Sequence, residues 1–221
     1  MQGKNNILNK EKILKKVQLY AIADPSLCLN RDLIELIRLA IAGGVQMIQF
    51  RDKGSSDNEF LEKAKEIQKI TRRKKIPLII NDRVDIAKLI NVEGVNLGED
   101  DLPVKEARRI LGSEKIIGAS ACDLKTAKLK EREGADYIGL GPIFETSSKD
   151  IEKTLGVEIL KEANKILQIP VFPIGGINLG NLEQIISTGV KRIAVISAIF
   201  MAEDVKKTVQ ELLKRLKSSK V

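Results

Sequence analysis

The segment Gln49-Phe50-Arg51-Asp52-Lys53-Gly54 closes one of the chain's apolar runs, and the period of two of an extended backbone sets Gln49, Arg51 and Lys53 on one side. An amide, a guanidinium and an ammonium presented together suit a polyphosphate, because the guanidinium fork can take two oxygens while the ammonium adds a point charge. Read more plainly, they are the ordinary charges of a solvated strand end. Asn81-Asp82-Arg83 and Gly98-Glu99-Asp100-Asp101 follow the next two apolar runs. Asp82 and one carboxylate of residues 99–101 are expected at the ends of neighbouring strands, close enough to share a cation. Carboxylate oxygens with room for water and phosphate are what Mg²⁺ prefers. At least one of the three acids is expected instead to cap the helix that begins near Pro103.

A second group lies further along. Gly139-Leu140-Gly141-Pro142-Ile143-Phe144-Glu145-Thr146-Ser147-Ser148-Lys149-Asp150 combines glycines, three consecutive hydroxyl residues and a lysine. Hydroxyls and backbone N–H groups donate to an anion and Lys149 supplies charge, although a loop of solvated polar residues would read the same way. Ile174-Gly175-Gly176-Ile177-Asn178 and Val195-Ile196-Ser197-Ala198 then close two later runs.

Composition removes many alternatives. The chain of 221 residues has no histidine, which excludes a Ser-His-Asp triad, His-ligated zinc and His-relayed proton transfer. Two cysteines, Cys28 and Cys122, are too few for a disulfide framework or a cysteine metal cluster, and nothing at the N-terminus resembles a signal peptide. These features point to a reducing, cytoplasmic setting. No apolar run approaches the roughly 20 residues of a membrane span. The net charge of +8 is confined to the ends: residues 1–16 carry +4 and residues 205–221 carry +5, leaving −1 on residues 17–204. With that balanced body and seven aromatic residues in all, neither a continuous basic groove nor a stacking platform for nucleic acid is expected.

The elements that must position these groups are legible as a rhythm. Eight short aliphatic runs, Val17–Ala23, Val45–Arg51, Pro77–Asn81, Gly94–Leu97, Lys115–Ala119, Asp136–Leu140, Pro170–Ile174 and Lys191–Ile196, alternate with amphipathic stretches. Most runs are too uniformly apolar to alternate in and out, as befits strands of a parallel sheet buried on both faces. Helical spacing appears at Leu33, Ile34, Ile37 and Ile41 after Asn30 and Asp32, and at Phe60, Leu61, Ala64, Ile67 and Ile70 after Ser56. The last such stretch is Val205, Val209, Leu212, Leu213 and Leu216 after Asp204. Gly43-Gly44, Gly94, Gly134 and Gly189 are expected as C-terminal caps. The pattern predicts an α/β fold, a single-domain (β/α)8 TIM barrel over residues 17–221 with an extra N-terminal helix over residues 1–16, on which Ile13, Leu14 and Val17 lean against one end of the barrel. An open doubly wound sheet is the competing topology. In a barrel the polar groups gather at the C-terminal strand ends, and the loops after strands 7 and 8 often bind phosphate, which singles out Gly176 and Ser197. The residues alone therefore support an Mg²⁺-assisted enzyme with a diphosphate site over strands 2 to 4 and a monophosphate site over strands 6 to 8.

The segments quoted above, together with Gly118-Ala119-Ser120-Ala121 and Ser197-Ala198-Ile199, occur in an order that resembles the thiamine-phosphate synthase (thiamine-phosphate pyrophosphorylase) family over nearly the whole chain. The resemblance implies transfer of the hydroxymethylpyrimidine group from its diphosphate to a thiazole phosphate, giving thiamine phosphate and pyrophosphate by a dissociative route. Its partners would be these small molecules, with no nucleic acid and no membrane; a homo-oligomer is compatible. By the same resemblance Gln49, Arg51, Lys53, Asn81, Ser120 and Lys149 would hold the pyrimidine diphosphate, with Lys149, Arg51 and Ser120 closest to the chemistry. Thr146, Ser147, Ser148, Gly176, Ile196 and Ser197 would hold the thiazole phosphate, and Asp82 and Asp101 would bind Mg²⁺.

The chain departs from the family pattern where Asn96 and Cys122 stand in place of histidines, and where Glu145 and Ser148 replace a proline and a threonine. A thiazole tautomerase-like relative would need a histidine where this chain has Cys122. Another phosphate-binding barrel enzyme, such as a sugar-phosphate isomerase, would leave the groups after strands 2 to 4 unexplained. A non-catalytic phosphate-ligand-binding regulator rests only on the +8.

Overall fold

The computed structural model describes residues 10–146 and 154–218. Residues 10–16 are helical (α1) and lead into β1, Leu19–Ala23. There follow α2 (Leu33–Gly43), β2 (Met47–Phe50), α3 (Asp57–Lys74), β3 (Leu78–Asn81), α4 (Val84–Leu89), β4 (Gly94–Leu97), α5 (Val104–Leu111), β5 (Ile116–Ala121) and α6 (Leu124–Arg132). The chain continues with β6 (Tyr137–Leu140), α7 (Glu158–Ile166), β7 (Val171–Pro173), α8 (Leu182–Ile186), β8 (Ile193–Val195), the short α9 (Ser197–Phe200) and α10 (Val205–Ser218).

All strands pair in parallel in the order β7-β6-β5-β4-β3-β2-β1-β8, and β7 and β8 meet across the remaining seam, so the sheet curls into a nearly closed (β/α)8 barrel. The open doubly wound alternative fails on the β1–β8 pairing, which brings the first and last strands together. No helix among the described residues is long and apolar enough to cross a membrane.

Strand side chains divide by parity into two packed populations. Leu19, Ala21, Ile48, Phe50, Ile80, Val95, Leu97, Ile117 and Ile138 point outward and pack beneath the helices. Tyr20, Ile22, Met47, Ile79, Ile116, Tyr137, Phe172 and Ala194 point inward and fill the barrel, joined from one end by Leu14 and Val17. Tyr20, Tyr137 and Phe172 meet edge to face with centroids 5.4–5.7 Å apart. Each such pair contributes about 0.5–1.5 kcal/mol beyond its buried area. This plug makes one end of the barrel a floor and leaves the other end to the polar residues.

The helix starts follow the local code. Asp32 caps α2 through Ile34 N–H, and Ser56 and Glu59 form a reciprocal capping box at α3. Gly44, Gly134 and Gly189 take left-handed backbones after helices, as expected, but Gly94 does not. It opens β4, and a Cβ there would lie 2.0 Å from the Ile116 carbonyl oxygen, so close strand contact requires the glycine. The residue with positive φ after α4 is Asn91.

Gly118 has a similar role inside the barrel, where a Cβ would lie 1.9 Å from Cζ of Tyr137. Gly118→Ala is expected to destabilise the fold by about 3 kcal/mol, because the floor ring cannot move aside. Gly139→Ala, whose Cβ would be 4.0 Å from its nearest neighbour, costs less than about 1 kcal/mol. Denaturant midpoints at unchanged m-value provide the comparison, and equal costs would contradict this packing.

Candidate active site

Above the aromatic floor the same inward parity delivers polar groups. It runs from Tyr20 and Ile22 on β1 to Asp24 just beyond it, from Gln49 on β2 to Arg51 just beyond it, to Asn81 on β3, Asn96 on β4, and from Ser120 on β5 to Cys122 just beyond it. A cavity of about 310 Å³ opens there, and its lining includes Arg51, Glu99, Ser120, Cys122, Thr146 and Ile196.

The two carboxylates singled out for a metal meet. Asp82 follows β3 with φ of +60°, a left-handed conformation uncommon outside glycine, and its N–H donates to the Asn96 carbonyl at 2.9 Å. Its carboxyl group hydrogen-bonds that of Asp101. Asn81 Nδ2 donates to Asp82 Oδ2 at 2.6 Å, and Lys53 Nζ forms an ion pair with the same oxygen. Burial, followed by the Asp101 contact, pushes the Asp82 pKa up to about 6, with Lys53 opposing the rise.

Asp101 is fixed by the Gly98 N–H, 2.7 Å from Oδ2. The capping alternative for residues 99–101 is not realised: α5 begins after Pro103 without a side-chain cap. Two carboxyl groups drawn together in partial burial form a hard oxygen donor set that a divalent cation fits. Among the described residues no three Asp, Glu or Cys side chains are grouped so as to hold a metal ion, so water and a substrate phosphate would have to complete the shell.

The three groups expected on one side of β2 diverge into separate contacts. Arg51 Nη1 forms an ion pair with Asp24, Lys53 reaches across to Asp82, and Gln49 turns down to the floor, where its Nε2 donates to the Tyr20 hydroxyl at 2.5 Å. The Tyr20 hydroxyl lies 2.8 Å from that of Tyr137. Asn96 Nδ2 donates to Ser120 Oγ at 3.1 Å, which fixes the serine at the cavity wall. Cys122 donates its thiol to Glu99 Oε1 at 2.9 Å; this contact and burial push the thiol pKa up.

The opposite wall is built from backbone. The loop after β6 docks on that after β7 through Ile143 N–H to Ile174 O at 2.9 Å and Phe144 N–H to Gly175 O at 3.1 Å. Gly176 has φ of +65°, and a Cβ there would lie 2.2 Å from the Glu145 carbonyl oxygen. Thr146 and Ile196 line the cavity, and Ser197 opens α9 beside them. Ser147, Ser148 and Lys149 lie outside the described residues. The exposed Glu145 contributes its backbone to this packing. Sequence reasoning missed Tyr20 and Asp24; their shared inward parity along β1 and the residue just beyond it was the available signal.

The thiamine monophosphate synthase family model matches residues 19–199, which span every one of these groups. The chain belongs to the thiamine monophosphate synthase family. It is 45% identical to a thiamine-phosphate synthase of Clostridium tetani over 194 residues, covering 88% of this chain and 93% of the relative. It is likewise 45% identical over 196 residues to one of Halalkalibacterium halodurans, with the same coverage of both chains. Thiamine phosphate pyrophosphorylase from Pyrococcus furiosus superposes with a TM-score of 0.83 at 38% identity, covering 91% of this chain and 96% of that one. The thiamine monophosphate synthase family is thus shared in sequence and in barrel geometry.

If Asp82 and Asp101 serve a ligand rather than a helix start, neither supports the fold strongly. Asp82→Ala and Asp101→Ala are each expected to stay within about 1 kcal/mol of the parent in metal-free buffer. Denaturant unfolding tests this; a loss of several kcal/mol in both would return them to a structural role.

Proposed function

We propose that this chain catalyses the thiamine-phosphate synthase reaction with Mg²⁺ held by Asp82 and Asp101, the hydroxymethylpyrimidine diphosphate bound over β2 to β5 and the thiazole phosphate bound over β6 to β8. The observation that carries the reading is the gathering of the Asp82–Asp101 pair, Lys53 and Arg51 at the C-terminal strand ends, where the cavity that Arg51 lines is walled on its other side by Thr146, Gly175 and Ile196. When bound, Mg²⁺ would neutralise charge on the diphosphate and favour its departure.

Arg51 and Lys53 supply charge-assisted donors to the same leaving group, and Ser120, oriented by Asn96, faces the pyrimidine. Lys149 is assigned to the leaving pyrophosphate on the family resemblance. Thr146, Gly176, Ile196 and Ser197, with Ser147 and Ser148, hold the thiazole phosphate so that the ring nitrogen meets the methylene carbon as the diphosphate leaves. The aminopyrimidine donates electrons toward that carbon, and the thiazole nitrogen attacks as a neutral nucleophile. No protein base is needed, which suits a chain without histidine. Two free thiols, Cys28 and Cys122, support a cytoplasmic setting.

Purified protein is expected to release pyrophosphate only with Mg²⁺ and both substrates together. Asp82→Ala, Asp101→Ala and Arg51→Ala should each lower kcat/KM by roughly 100-fold or more, the scale of losing one preorganised charge at a leaving group. A coupled pyrophosphate assay reads both results. No release from folded parent protein, or release with either substrate alone, would refute the assignment.

A further inference from the structure

Asp24 is 3% exposed, directly follows β1, and divides its two oxygens between two tasks. Oδ1 accepts from Ser26 N–H at 3.0 Å and Ser26 Oγ at 2.6 Å, capping the single turn Pro25–Leu27. Among the described residues, Oδ2 accepts from the Arg51 guanidinium alone, 27 residues away in sequence. A turn cap needs one oxygen, and a buried carboxylate without a cation would be costly, so the Arg51 ion pair offsets the burial of the second. The reverse dependence matters for function. A guanidinium has five N–H donors in a planar fork, and engaging Nη1 from one side fixes the plane of the remainder. Arg51 lines the cavity, so that remainder is what a ligand meets.

The loop that carries Asp24 is itself anchored. Cys28 Sγ donates to the Asp24 carbonyl at 3.3 Å, and Arg31 Nε donates to Cys28 O at 3.2 Å. Arg31 Nη1 and Nη2 reach Ala202 O at 2.8 Å and Phe200 O at 2.5 Å, at the end of α9. The carboxylate is therefore held against the barrel rather than at the tip of a free loop, which distinguishes this pair from an exposed surface salt bridge.

We infer that Asp24 is a positioning residue for the diphosphate: it acts through Arg51, fixing the orientation in which the guanidinium receives the leaving group. The inference rests on the proposed synthase reaction. Asp24→Asn, which keeps size and the Ser26 contacts, should lose roughly 10- to 100-fold in kcat/KM for the pyrimidine diphosphate, the scale of misplacing one reacting group. The KM for the thiazole phosphate should not move. The deciding measurement is a double-mutant cycle: in an Arg51→Ala background Asp24→Asn should cost nothing further. Ser26→Ala, which removes only the hydroxyl on the capping oxygen, should lower the unfolding midpoint without changing the diphosphate kinetics. If the asparagine variant does not fold, Asp24→Glu gives the same comparison, with its loss again confined to the diphosphate and absent when Arg51 is alanine. Additive losses in the cycle, or equal effects on both substrates, would overturn the positioning role while leaving the synthase reading intact. Absence of pyrophosphate release from the parent protein would overturn the synthase reading instead.

Discussion

The site depends on one geometric constraint: in eight parallel strands closed into a barrel, alternate residues must point to the interior, and the register decides which. The inner residues start as Tyr20, Met47, Ile79, Ile116, Tyr137 and Phe172 and end, two or four positions later, as Asp24, Arg51, Asn81, Ser120, Gly141 and Ile174. A slip of one residue in any strand would exchange an outward aliphatic for a site group. The aromatic plug resists such slips, since Tyr137 lies where only a glycine at 118 leaves room. Stability therefore resides in the floor and the outer layer, while the polar end is free to carry chemistry.

At that end the charges are arranged as a set of compromises. Arg51 answers a buried Asp24, Lys53 answers Asp82, and Asp82 also faces Asp101. With both acids ionised, Lys53 would balance only one of them, which is the physical basis for assigning a divalent cation to the pair. Arg51 lines the cavity while paired with Asp24, so its remaining donors face the open end.

Much of this was legible in sequence because it is local. Gln49, Arg51 and Lys53 alternate visibly, Ser56 and Glu59 announce a helix, and Gly176 follows an aliphatic run. Features set by distant neighbours were not. Gly94 reads as a cap because a glycine before a strand usually is one, and only the Ile116 carbonyl across the sheet reveals its role. Among residues 99–101, Asp101 is selected by the Gly98 N–H and by Asp82, whose left-handed backbone has no sequence signature. Asp24, next to Pro25 and Ser26, looks like an ordinary turn, because its partner Arg51 belongs to another strand. The divergence of the β2 groups, with Gln49 turning down to Tyr20, was equally invisible.

The central claim is that Asp82, Asp101, Arg51 and Lys53 form one site for a divalent cation and a diphosphate. Calorimetric titration of pyrophosphate with and without Mg²⁺, after correction for their complex in buffer, tests it most directly. Each ligand should tighten the other reciprocally, and Asp101→Asn should abolish that coupling while leaving metal-free pyrophosphate binding in place. Pyrophosphate affinity that is indifferent to Mg²⁺, or coupling that survives Asp101→Asn, would contradict the account.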